Sequence, residues 1–166
     1  MSVEQNKATT LRVFAEGFNQ GDLSVIDALV GAGLDHQHPT EPSFPEHLKG
    51  VIRAMRAAFP DLHFEISTII GEGEWVALHA VMTGTHTGDL RPPLLPAGGP
   101  PVVPPTGRPI RVAHMHLIRF EGQKGGELFH VMDTLTMLGQ LGLLPGPGVA
   151  PGAPAPGQPV APGRPA

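Results

Sequence analysis

Cysteine is absent from all 166 residues, which removes disulfides and thiolate catalysis and leaves the redox compartment open. Tyrosine is absent too, so no phenol is available to donate to an oxyanion, and only one tryptophan is present. Basic runs are missing and the net charge is −4, which leaves nucleic acid binding without electrostatic support. No apolar run approaches membrane-spanning length, and the opening MSVEQNKATT has no hydrophobic signal core. A soluble, cytoplasmic protein that binds neither nucleic acid nor membrane is expected.

What the chain does have is histidine, nine in all, several of them among apolar residues. The densest stretch runs from Ile110 to Pro145. On a strand the even positions Ile110, Val112, His114, His116, Ile118 and Phe120 share one face. Gly122, Gly125 and Gly126 punctuate a turn, and a second strand follows in ELFHVMD. Strict alternation through it puts Glu127, Phe129, Val131 and Asp133 together. A carboxylate at Asp133 on a largely apolar face, with imidazoles on the neighbouring strand, suits proton transfer. An ordinary role for Asp133, as N-cap of the helix TLTMLGQLG, is open on the same residues. His130 falls on the opposite parity and is expected to face solvent or a partner subunit.

The rest of the chain reads as cover for that pair of strands. A helix is expected over Gln5–Asn19, with Phe14 and Phe18 inward, and a short one over LSVIDALVG after Asp22. Gly31 to Gly33 end the latter, and the loop LDHQHPTEP carries His36 and His38. A third helix, PEHLKGVIRAMRAAF, aligns Leu48, Val51, Ile52, Met55 and Phe59 between Pro45 and Pro60. Alternating strands follow in LHFEISTII and WVALHAVMTGTHTG, the latter containing Trp75 and His79. Asp89 to Val103 is a proline-rich loop whose Leu94, Leu95, Val102 and Val103 either lid a pocket or pack on the surface. Helices first and strands after indicate an α+β fold with a mostly antiparallel sheet. The domain is expected over residues 1–145, with a disordered Pro/Gly/Ala-rich tail over 146–166.

Several phrases together are fairly specific: FPDL at Phe59–Leu62, GTHTG at Gly84–Gly88, PPTGR at Pro104–Arg108, and the closing VMDTLTMLGQLGLLP. From Asn6 to Pro145 the chain resembles the SnoaL-like polyketide cyclase (ester cyclase) family, of the nuclear transport factor 2-like fold. The resemblance implies a cone in which three N-terminal helices and a curved sheet enclose a pocket, closed by a short C-terminal helix. In the family's terminal phrase, E-H-W-x-x-x-D-x-x-G-x-x-x-Q-L-G, Glu127, Asp133 and Gln140-Leu141-Gly142 match. Leu128, Phe129 and Thr136 depart from it.

What the resemblance implies is cofactor-free intramolecular aldol closure of a polyketide-type substrate, chemistry of antibiotic and other secondary metabolism. Asp133 would be the general acid/base, its pKa raised by partial burial, and His116 its partner or an oxyanion donor. His36, His38, Phe129, His114, Trp75, Phe14, Phe18 and Met55 are expected to line a pocket for a hydrophobic small molecule. No metal is expected. Pairing into a homodimer or homotetramer through the outer sheet face, using Met115, Leu117, Leu128 and Met132, is implied as well.

Other readings compete. A binding module, an isomerase or an epoxide hydrolase can share the fold. An epoxide hydrolase wants an Asp–Arg–Asp network, whereas Arg111 and Arg119 lie on the other face from His116. His114-x-His116 with Glu121 resembles a metal-binding strand, but Glu121 has the wrong parity. His86, in GTHTG, is expected in a turn.

Overall fold

In the first helix the Ser2 hydroxyl accepts from the Gln5 N–H, and the Gln5 side chain accepts from the Ser2 N–H, a reciprocal cap. The computed structural model describes residues 2–38, 42–95 and 99–144; the expected tail lies outside the described residues. Helix α1 (Val3–Arg12) widens directly into a π-helical stretch, Val13–Asn19, whose inward side carries Phe14, Gly17 and Phe18. Helix α2 is short (Ser24–Leu29). Helix α3 (Phe44–Ala58) starts on the Ser43 hydroxyl and buries Leu48, Ile52 and Met55, one stripe at helical spacing. Burying each such side chain stabilises the fold by about 1.5–3 kcal/mol.

Five strands make one open, curved sheet: β1 (Val30–Asp35), β2 (His63–Glu72), β3 (Trp75–Thr85), β4 (Pro109–Glu121) and β5 (Lys124–Met132). Their order is β1-β5-β4-β3-β2, antiparallel throughout except that β1 runs parallel to β5. Helix α4 (Thr134–Leu141) closes the chain and ends on Gly142 in the left-handed region. The α+β architecture, with its three N-terminal helices against the sheet, is the expected one. Strand β1 is the addition, since Gly31 to Gly33 reads as a helix stop. Its glycines serve a close approach instead: a Cβ on Gly33 would lie 1.5 Å from the Gly126 carbonyl oxygen of β5.

Two irregularities bend the sheet. The β2–β3 register shifts between Ile66 and Thr68. Phe64 and Ile66 face inward before that point; after it Ile69 packs on the core while Ile70 is 62% exposed. The second shift lies between β4 and β5. Glu121 pairs with Lys124 and Phe120 with Gly125, but Arg119 pairs with Glu127, so Gly126 is an extra residue. From there on, even residues of β5 lie opposite even residues of β4: Leu128 beside Ile118, His130 beside His116, Met132 beside His114. Directly opposed residues share a face, so this one residue decides which side of β5 looks inward.

The three sequence phrases converge on one joint. Asp61 of FPDL accepts from the Thr85 N–H (2.6 Å) and hydroxyl (2.7 Å). His86 of GTHTG is fully buried, and its Nδ1 accepts from the Thr106 N–H of PPTGR at 3.2 Å. Thr87 and Gly88 donate backbone N–H groups to Ala58 at the end of α3. The phrases are a clasp between helix and sheet, and His86 belongs to it. Beyond the clasp, Leu90 pairs with Val103, and Leu90, Leu94, Leu95 and Val103 are buried. The proline-rich loop therefore packs inward at both ends. On the outer sheet face Met115 and Leu117 are exposed, as the expected parity requires, whereas Leu128 and Met132 face the interior.

Asp61→Ala strips two bonds from the clasp. We expect a loss of about 1–3 kcal/mol in chemical denaturation, and a far smaller change for Glu65→Ala on the exposed face of β2.

Candidate active site

Between α3, the π-helical stretch and the concave face of the sheet lie two adjoining hollows. They share Phe18, Leu48, His116 and Leu128 as a common wall. The inner one is apolar apart from His116, Thr9 and Thr10, and is lined by Phe14, Phe44 and Phe120 among others. The outer one collects Asp35, His38, His114, His116 and His130 among Met55, Phe64, Leu94 and Met132. A greasy cavity with a few convergent polar groups is the usual form of a small-molecule site.

The polar groups are stacked imidazoles around one carboxylate. His114 and His116 lie 5.6 Å apart and nearly parallel, and His116 stacks on His130 at 5.8 Å. Phe64 and Phe14 present their edges to His114 and His116, at 5.1 and 5.2 Å. Asp35, 3% exposed at the end of β1, takes His47 Nε2 at 3.0 Å and His130 Nε2 at 3.3 Å on one oxygen. Its other oxygen accepts the Gln37 N–H at 2.9 Å, and the Gln37 side chain in turn accepts the His130 N–H at 2.8 Å. His38 stacks on His130 from the far side, at 5.2 Å.

Charge follows from this geometry. Burial works to raise the Asp35 pKa. The bonds from His130, Gln37 and His47 outweigh it and bring the group to about 2. Desolvation, aided by the charge of His130, lowers His114 to about 4 and holds His116 well below its ordinary range. Burial lowers His38 as well. The cavity at neutral pH thus holds an ionised Asp35 carboxylate beside neutral His114 and His116. The Nε2 atoms of His114 and His116 are buried without a hydrogen-bond partner among the described residues. An unpartnered polar atom in a cavity costs stability, and a substrate oxygen can repay it.

The structure corrects the expected site in one direction. Asp133 is not in the cavity. It caps α4, accepting the Thr136 N–H (3.0 Å) and hydroxyl (2.7 Å), and those bonds lower its pKa where a raised one was expected. His36 and Phe129 stack on each other at 3.8 Å on the outer face, where Trp75 also lies near Phe129. His36 further pairs with Glu127 at 3.1 Å, which Arg119 also holds. Strict alternation carried across the turn puts Asp133 and Phe129 inward, and the extra Gly126 inverts it; Trp75 lies on the outward parity of β3, and His36 follows β1, so neither depends on that bulge. His116, His114, His38, Phe14, Phe18 and Met55 do line the hollows. Missed were Asp35, His47 and His130. The available signals were the Gly125-Gly126 pair, which marks a bulge, and the extended G-A-G-L-D ending in an acid.

As for metal ligands, Glu121 pairs with Lys124 away from His114 and His116. The donor atoms of Asp35, His38 and His130 lie within 4.8 Å of one another. Arg119 is on the outer face with Glu74 and Glu127, and the Arg111 backbone is bound by Gln140. Among the described residues no helix is long and apolar enough to cross a membrane.

Comparison with known proteins agrees with this fold. A family model described as SnoaL-like polyketide cyclase matches residues 8–141. No curated protein matches the chain. Among solved structures, TsrD from Streptomyces laurentii superposes with a TM-score of 0.73 at 19% identity, over 87% of this chain and 99% of that one. IdmH, a candidate polyketide cyclase from Streptomyces antibioticus, gives 0.65 at 30% identity over 83% and 99%. AclR, a candidate hydroxylase from Streptomyces galilaeus, gives 0.67 at 28% identity over 87% and 89%.

Burial of neutral His114 sets a pH dependence. Between pH 6.5 and 4 the unfolded chain holds its proton and the folded chain does not, so stability falls as pH drops through that window and is unaffected above it. The full loss is about 3 kcal/mol for His114. Urea titrations at stepped pH should show a shallower decline for His114→Phe than for the wild type.

Proposed function

Since the chain belongs to the SnoaL-like polyketide cyclase family, we propose that it closes a ring in a polyketide-type substrate by intramolecular aldol addition, with His130 moving the proton and Asp35 holding His130 in place. The observation that carries this reading is the bond of His130 Nε2 to a buried carboxylate, in a cavity whose remaining lining is hydrocarbon and the imidazoles of His38, His114 and His116.

A methylene between two carbonyls is acidic because its carbanion delocalises onto enolate oxygens, so a modest base suffices. With Nε2–H directed to Asp35, the His130 Nδ1 carries the lone pair that takes this proton. The carboxylate fixes the tautomer and stabilises the imidazolium that forms, as in a catalytic triad. The enolate carbon then attacks a carbonyl of the same molecule. A carbon–carbon bond forms, the carbonyl electrons move to oxygen, and the imidazolium returns its proton to give the alcohol. The neutral His116 imidazole, in its Nε2–H form, donates to the developing oxyanion without bringing a competing positive charge. The two hollows, about His116 at their junction, hold a folded chain so that the reacting carbons meet. No step needs an outside cofactor.

Self-association through the outer sheet face belongs to the same proposal, since Met115, Leu117 and Val131 are all exposed there. Met115→Glu with Val131→Glu is expected to shift the protein to monomer in sedimentation velocity.

The central test uses a linear 1,3-diketone thioester as probe and follows both ring closure and solvent-deuterium uptake at the flanked methylene by NMR. His130→Gln and Asp35→Asn should each lower the rate by about 10²–10⁴-fold with little change in KM. Asp133→Asn should stay within a few-fold of wild type, because Asn caps a helix as well as Asp. The assignment fails if Asp133→Asn abolishes turnover while His130→Gln retains it. Undiminished binding with neither exchange nor closure in the wild type would favour a ligand-binding module.

A further inference from the structure

The carboxylate that positions His130 is also one corner of a group with metal-ligand chemistry. Asp35, His38 and His130 each offer one donor atom, and the three lie within 4.8 Å of one another. We propose that these residues form a site for a divalent transition-metal ion of the zinc type, and that the ion competes with the proton for His130.

Donor spacing supports a shared ion. Metal bonds of about 2.1 Å place tetrahedral donors about 3.4 Å apart. The Asp35 Oδ2 to His130 Nε2 distance is already 3.3 Å, and with all three donors within 4.8 Å of one another a movement of at most about 1.4 Å brings the set to tetrahedral spacing. His38 is the residue best able to make that movement. It lies three residues past the end of β1, is half-buried, and stacks its ring on His130.

Donor type selects the ion. Two imidazoles and one carboxylate suit zinc, and also cobalt, nickel or iron; calcium and magnesium want oxygen throughout. Three protein ligands leave the fourth tetrahedral position to water or substrate, toward the cavity. An outer layer is in place as well. His47 bonds the Asp35 oxygen that faces His130, the Gln37 N–H holds the other, and the Gln37 side chain anchors the His130 backbone. Partners of this kind orient ligands and strengthen metal affinity. Leu94 and Met132 supply the apolar surroundings.

Occupation consumes the atoms that the proposed aldol step uses. An ion on His130 Nε2 and Asp35 Oδ2 takes up the Nε2 lone pair and leaves the neutral ring's proton on Nδ1, so Nδ1 no longer has the lone pair that accepts the substrate proton. The inhibition, though not the binding, rests on the catalytic reading of the preceding subsection.

The test is zinc titration of the full chain by calorimetry, alongside cobalt titration followed in the visible region. The proposal predicts one ion per chain and the d–d absorption of a four-coordinate cobalt centre. His38→Ala, which spares the Asp35–His130 bond, should weaken binding by at least about tenfold. His79→Ala, a histidine bonded to Ser67 elsewhere on the sheet, should change nothing. Substoichiometric uptake, or equal affinity in His38→Ala and wild type, overturns the site. If the wild type turns over the diketone probe, saturating zinc should suppress that turnover, and suppression should need more zinc in His38→Ala. Turnover unaffected by bound zinc overturns the competition. Zinc binding with no turnover under any condition upholds the site and counts against the aldol reading alone, so the two failures are distinct.

Discussion

Taking the Asp35 carboxylate out of water is the costliest local act in this fold, and the site is arranged around making it tolerable. A buried carboxylate needs donors on both oxygens, and here they come from three places: α3 through His47, β5 through His130, and the chain just past β1 through Gln37. Losing any one leaves charge under-satisfied in a low-dielectric space. These bonds tie a helix, a strand and a loop to one point in the cavity wall. Holding His130 and joining the layers are one interaction.

The histidines extend that point into a chain. Each imidazole from His38 through His130 and His116 to His114 stacks on the next, and phenylalanine edges close off the inner pair. Burial keeps the inner two neutral, so they offer hydrogen bonds without field. The carboxylate keeps the outer end polar. A gradient follows from the Asp35 carboxylate to the hydrocarbon-lined hollow beyond His116. Two bulges, at Ser67 and Gly126, curl the sheet around this gradient; a flat sheet would leave no hollow to fill.

Strong periodicity made much of this legible. Helix α3 is amphipathic over four turns with proline at each end, so its buried stripe needed no tertiary information. Strand β4 alternates without interruption, and its inward His114 and His116 follow from parity alone. Strand β5 was harder because both of its faces are apolar: Leu128 and Met132 on one, Phe129 and Val131 on the other. With no polar side to break the tie, the turn sets which face looks inward, and there the extra Gly126 reverses strict alternation. The family phrases pointed at Asp133, which is where the chain needs a helix cap rather than an acid.

Composition and local pattern by themselves determined the class of fold, the helical cover, the inward face of β4 and the absence of thiol and phenol chemistry. These depend on which residues are near each other along the chain. Which carboxylate meets which imidazole was decided only by tertiary structure. Asp35 and His130 are brought together by a parallel β1–β5 pairing and by a bulge whose sign no local pattern carries, because side chains on a strand have period two and one inserted residue reverses them all.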